Sequence, residues 1–89
     1  MKKTYDPKKM AEKSRFRTFY EKWNDQDRQH LLDTMARLIK ENPEYADSKN
    51  YAHLCNLITS LAMVTVLEES GKTRKEAVDA VANAMYSFI

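Results

Sequence analysis

Glycine and proline are nearly absent from this chain, which has one Gly and two Pro in 89 residues. Because these residues supply most tight turns, their scarcity indicates long helices joined by short connections. One glycine also excludes the glycine-rich loop that cradles phosphates in nucleotide-binding proteins. The remaining composition, 43% hydrophobic and 31% charged, is typical of a folded globular domain. A chain of this length holds one domain, covering residues 1–89.

Cysteine and long apolar runs are scarce as well. Cys55 is the single cysteine, so no internal disulfide can form, and its apolar surroundings favour a buried, reduced thiol. The apolar run from Leu54 to Leu67 contains four polar residues and is too short to span a bilayer. No apolar segment follows the first three residues, so we expect no secretory signal. These features together predict a cytoplasmic protein without membrane association.

Capping residues and apolar spacing predict four helices, at residues 7–23, 26–41, 49–69 and 74–88. Asp6-Pro7 opens the first, Asp25 the second, and Asp47 or Ser48 the third. Gly71 closes the third helix, and Thr73 and Glu76 form a capping box for the fourth. Ten of the fourteen residues from Leu54 to Leu67 are apolar, more than one stripe requires. The expected fold is therefore all-α, a compact four-helix bundle with a buried third helix.

Catalytic candidates are few. Cys55 and His53 are two residues apart and would point in different directions on a helix, although His30 could reach Cys55 from another helix. Glu68 and the neighbouring Glu69 oppose the dipole at the end of the third helix, where either a functional or an exposed carboxylate fits. Asp27 and His30 have the spacing of a metal-ligand pair, but the second pair that a di-iron bundle needs is missing. We expect neither metal nor cofactor.

Basic residues are concentrated in the first part of the chain. Eight basic and three acidic residues precede Asn24, whereas seven basic and ten acidic residues follow. The third and fourth helices also have the outline of a helix-turn-helix. A nucleic-acid-binding surface would use Arg74, Lys75, Lys8, Lys9, Lys13, Arg15 and Arg17. A solvated face, or a basic segment packed on an acidic body, explains the same charges.

An aromatic stripe runs along the first predicted helix, and an apolar stripe runs along the last. Both are explained by the core or by an interface with a second chain. Because a small core leaves apolar faces uncovered, we expect a homodimer or contacts with the remainder of a longer chain. The candidate interface residues are Phe16, Phe19, Tyr20, Trp23, Met85, Phe88 and Ile89.

The segment from Asn50 to Phe88 resembles a known family. Its landmarks are Asn56-Leu57-Ile58, Leu61-Ala62, the sequence LEESG at residues 67–71 and the stretch from Thr73 to Ala77. This pattern, together with the opening YDPKKM, is similar to the N-terminal region of the L-2-amino-thiazoline-4-carboxylic acid hydrolase-like family. The resemblance implies hydrolytic opening of a small thiazoline ring, and it provides no catalytic residue for this chain. Members are roughly twice as long, so the chain would correspond to their N-terminal part.

Three functions follow from these observations. The first is a helical interaction or oligomerisation domain that resembles the N-terminal part of a hydrolase-like protein and has little activity alone. The second is a small-molecule hydrolase of the thiazoline ring-opening type. The third is a helix-turn-helix-like module that binds nucleic acid.

Overall fold

Five α-helices and one 3₁₀ helix occupy the residues that this computed structural model describes, 5–47 and 49–86. They are α1 Pro7–Lys13, α2 Arg17–Glu21, α3 Asp25–Glu41, α4 Tyr51–Glu69 and α5 Arg74–Tyr86, with the 3₁₀ helix Pro43–Asp47 between α3 and α4. The Cα radius of gyration is 12.5 Å, close to the value of about 12 Å for a folded domain of this length. The prediction of a compact, all-helical chain is confirmed, with five α-helices in these ranges where four were predicted.

The helix starts follow side-chain caps. Asp6 caps α1 as predicted, accepting a hydrogen bond from the backbone N–H of Lys8 at 3.0 Å. Asn24, and not Asp25, caps α3 by accepting the N–H of Asp27 at 2.8 Å. Asn50 caps α4 in the same way. The predicted cap Asp47 is instead the last residue of the 3₁₀ helix. Ser48, the other predicted cap, lies outside the described residues, as does residue 88, the predicted end of the last helix.

The turn between α4 and α5 forms as the sequence indicates. Gly71 has a φ of +106°, a backbone conformation that residues other than glycine rarely adopt. The backbone N–H groups of Gly71 and Lys72 donate to the carbonyls of Glu68 and Leu67, which is the Schellman closure of a helix. Thr73 and Glu76 then satisfy each other's backbone N–H groups at 2.9 and 3.1 Å, so the predicted capping box is confirmed.

The first predicted helix, residues 7–23, is wrong as a continuous element. Ser14 ends α1: its hydroxyl donates to the carbonyl of Ala11 and accepts the N–H of Phe16. The N–H of Arg15 donates to Oδ1 of Asn56 in α4 at 2.8 Å. This bond to a distant helix replaces a bond that a continuous helix would make, so the chain bends between α1 and α2.

α4 contributes the largest share of the core. It packs against α1, α3 and α5, and the residues it buries are Leu54, Cys55, Ile58, Thr59, Ala62, Met63 and Val66. The opposite side of α4 is only partly covered, and Leu61 there is 36% exposed. By length and composition alone, α4 would also qualify as a membrane-spanning helix, a test that core helices of soluble proteins pass too.

Replacing Asn56 with Ala should destabilise the fold by about 1 kcal/mol, because the N–H of Arg15 loses its acceptor. Urea unfolding followed by circular dichroism would measure the change in free energy. Asn56→Asp is the matched control, since it keeps the accepting oxygen and should retain most of the stability. Equal losses in both variants would show that the hydrogen bond does not hold the α1–α2 bend.

Replacing Thr59 with Val should stabilise the fold by about 1 kcal/mol. The Thr59 hydroxyl is buried and has no hydrogen-bond partner among the described residues, so its desolvation is uncompensated. Valine has nearly the same shape and removes that cost. A lower melting temperature for Thr59→Val than for the wild type would contradict this account.

Candidate functional site

The four catalytic candidates lie at two ends of α4. His30, on α3, places Nε2 3.0 Å from Oε2 of Glu69, and Glu68 is adjacent. His53 and Cys55 are in the first two turns of α4, and about 20 Å of helix axis separates them from the two glutamates. The structure therefore brings His30 to the carboxylate end, away from Cys55.

Cys55 is fully buried in the core. Burial raises the pKa of its thiol, an effect that a hydrogen bond with Tyr51 and the charge of Lys13 oppose in part. Because the thiolate is the nucleophilic form, a buried thiol with a raised pKa is inert toward substrates. This environment supports the interpretation of Cys55 as a core residue.

The metal-ligand spacing of Asp27 and His30 does not produce a cluster. Asp27 accepts a hydrogen bond from the side chain of Asn24 at 3.1 Å, whereas His30 turns toward Glu69. Among residues 5–47 and 49–86, no group of three or more His, Cys, Asp or Glu side chains has the arrangement of a metal site.

The basic residues of the nucleic-acid hypothesis fall into two groups. Arg15 lies beside Asn56 in the first half of α4, whereas Arg74 lies within 3.7 Å of Glu68 at its other end, about 18 Å away along the axis. Arg17 forms a salt bridge with Glu21, with 2.7 Å between Nε and Oε1, and the Lys13 ammonium group lies over the Tyr51 ring. Lys8 and Lys9 are exposed on α1, and Lys75 is exposed on α5. The two groups are therefore spread along α4.

The aromatic stripe belongs largely to the chain's own core. Phe16 is 0% exposed and Tyr20 is 6% exposed, so these two predicted interface residues are covered within the monomer. Phe19 and Trp23 are partly buried and meet edge to face at 5.6 Å between ring centroids. Met85 is also partly buried. Phe88 and Ile89 lie outside the described residues.

A partly exposed apolar surface lies along α4. Its residues are spaced three, four or one position apart and therefore share one side of the helix. We name this stripe the outer face of α4; it consists of His53, Leu57, Ser60, Leu61, Val64 and Glu68. Leu61 is 36% exposed, and Leu57, Ser60 and Val64 are half-buried.

Two neighbouring elements flank the outer face. A groove of about 340 Å³ crosses its first half, between Arg15 on the α1–α2 bend and Met85 on α5. Val78 of α5 adds a further apolar side chain that is 44% exposed. The arrangement provides an elongated apolar surface with polar residues at its two ends, which suits a helix better than a small molecule.

The sequence does not distinguish this face from the other sides of α4, although its apolar residues are visible there. Apolar residues occur all around α4, and such a pattern predicts complete coverage without telling which side the chain itself covers. In the sequence, Leu57 and Leu61 are distinguished only as part of the pattern that resembles the hydrolase-like family.

Comparison of the chain with protein-family models, curated proteins and solved structures finds no significant match. The resemblance to the thiazoline hydrolase-like family therefore rests on the sequence pattern alone.

Cys55 should react slowly with a thiol reagent in the native state, because the thiol is buried and its raised pKa leaves little thiolate at neutral pH. Labelling with a chromogenic disulfide in buffer and in urea would measure the two rates, with at least a hundredfold acceleration on unfolding as the expected result, by order of magnitude. Fast labelling of the folded protein would instead favour an accessible, reactive cysteine.

Proposed function

We propose that this chain is a small helical self-association domain that forms a homodimer through the outer face of α4. The observation that carries the proposal is the partial exposure of Leu57, Leu61 and Val64 along one side of the helix that builds the core. Apolar surface of this kind, with polar residues at its ends, is typical of protein–protein interfaces.

The composition of α4 supports this proposal. The helix is apolar around its whole circumference, yet seven of its 19 residues are buried in the monomer and those of the outer face are half-buried or exposed. Its three neighbours α1, α3 and α5 leave the side with Leu57, Leu61 and Val64 only partly covered. A second copy would complete the coverage without requiring any other partner.

In this proposal each monomer is the predicted four-helix bundle, and two such bundles form the dimer. α1 and α2 would together count as the first helix of the bundle. That segment, α3 and α5 would pack around α4. In this arrangement α4 is enclosed only when two units meet, and its burial is a property of the dimer.

The other two functions have less support. A hydrolase would need Cys55, His53, His30 or Glu68 near one pocket, and a nucleic-acid-binding module would need Arg74 and Lys75 beside the basic residues of α1. The catalytic candidates lie toward opposite ends of α4, and so do Arg15 and Arg74. The remainder of a longer, hydrolase-like chain is the alternative occupant of the outer face.

Light scattering of the wild-type chain at several concentrations, in low and high salt, should give the mass of a dimer. Leu61→Lys should raise the dimer dissociation constant at least tenfold, roughly the effect of a central interface residue. Its helical content should not change, because Leu61 is exposed in the monomer. Ala36→Lys, at an exposed position of α3, is the matched control and should dimerise like the wild type.

A wild-type chain that stays monomeric up to millimolar concentration would contradict self-association. Equal weakening by Leu61→Lys and Ala36→Lys would contradict the assignment of the interface to α4.

A further inference from the structure

The residue types along the outer face of α4 follow a nearly symmetric order. From its N-terminal end it carries a histidine, a leucine, the pair Ser60-Leu61, a valine and a glutamate, so the two halves mirror each other around residues 60 and 61. The two ends differ in charge character: the basic Arg15 lines the groove beside His53, whereas the other end carries the acidic Glu68. A surface with this symmetry is complementary to itself when one copy is reversed.

We infer that two copies of the chain pair antiparallel along α4, with the two-fold axis at Ser60 and Leu61. This inference rests on the proposed self-association and adds its geometry. Leu57 packs against Val64 of the second copy, and the axis repeats that contact. The same register sets His53 opposite Glu68 of the second copy, at both ends of the interface.

The spacing of the outer face fits such a pairing. His53, Leu57, Ser60 and Val64 follow one another at intervals of four, three and four residues, the a/d repeat by which two helices interlock side chains. Ser60 is the smallest residue of the stripe, and its hydroxyl already donates to the carbonyl of Leu57 at 2.9 Å. It can therefore lie at a close crossing without leaving an unpaired polar atom.

A parallel pairing of the same faces is unfavourable. It would set Glu68 against Glu68 of the second copy at one end and bring the two Arg15 side chains beside His53 together at the other, and like charges face to face oppose association. The antiparallel register replaces both repulsive contacts with attractive ones. Charge complementarity thus selects the orientation, and the apolar centre fits either one.

Both charged ends are available to a second copy. His53 is exposed, and Arg15 lines the groove beside it, which makes that end more positive. The Glu68 side chain is 35% exposed. Glu68 forms a salt bridge with Arg74 of its own chain at 3.7 Å, and the Arg74 side chain is 79% exposed. Because such surface ion pairs contribute little, the carboxylate can exchange this partner for one on a second copy.

A charge swap tests the pairing. His53→Glu and Glu68→Lys should each raise the dimer dissociation constant by about tenfold or more, because each places like charges at both ends of the interface. The double variant should restore association to near the wild-type value. His53→Glu should not weaken the monomer, since a glutamate in the first turn favours the helix dipole. Glu68→Lys gains the same benefit in the last turn but loses the exposed salt bridge with Arg74, a surface contact that contributes little.

The intramolecular pair His30 and Glu69 provides the matched control. It has the same chemistry, but it connects α3 to α4 within one chain. The swap His30→Glu with Glu69→Lys should leave the dimer dissociation constant unchanged. Failure of the His53–Glu68 double variant to recover association, with both single variants weakened, would overturn the antiparallel register.

Cysteine crosslinking gives an independent measurement. Ser60→Cys should form a disulfide-linked dimer under mild oxidation, because the two-fold axis brings the two residues 60 together. Asp79→Cys, exposed on α5, should not form one, and the buried Cys55 of the wild type serves as the background. A dimer that Leu61→Lys dissociates but Ser60→Cys does not crosslink would refute the register and leave self-association standing. A monomeric wild type would refute both.

Discussion

The burial of α4 is the constraint on which the rest of this structure depends. An α-helix with apolar residues around its whole circumference is unstable in water unless other elements surround it. α3 and α5 cover neighbouring sides along its length, and the segment with Phe16 and Tyr20 adds two of the buried aromatic residues. Because residues 5–47 and 49–86 contain no further helix for the remaining side, the outer face with Leu57, Leu61 and Val64 stays partly exposed in the monomer. The incomplete burial of α4 in the monomer is thus also the physical basis of the proposed self-association.

Asn56 shows how one polar residue within this apolar helix shapes its neighbours. Its side-chain oxygen accepts the N–H of Arg15 at 2.8 Å, across forty-one residues of sequence. No local pattern in residues 7–23 indicates this partner, and the aromatic spacing there is as compatible with one helix as with two. The bend between α1 and α2 therefore combines local hydrogen bonds of Ser14 with the tertiary bond to Asn56, and the tertiary part is the less predictable one. The sequence could not reveal it, because the acceptor becomes available only after α4 has packed against α1.

Local chemistry, in contrast, could be read in advance. Thr73 and Glu76 are three residues apart and bond to each other, so their pairing needs no information from the rest of the fold. Gly71 is recognisable for the same reason. The candidate site was harder to predict, because periodicity shows that Phe16, Tyr20 and Leu61 each lie on an apolar face but not which face the chain covers. Phe16 and Tyr20 turned inward, Leu61 stayed partly exposed, and His30 paired with Glu69 instead of approaching Cys55.

The two kinds of contact on the outer face contribute different properties to an interface. The centre, with Leu57, Leu61 and Val64, supplies the apolar area from which affinity comes. The ends, with His53 and Glu68, remain near solvent, where an ion pair adds little affinity because water and salt screen it. Such rim charges contribute more to orientation than to affinity, because the antiparallel pairing forms attractive contacts at both ends and the parallel pairing forms repulsive ones. An association through this face should therefore depend only weakly on salt for its strength, and it should depend on charge placement for its direction.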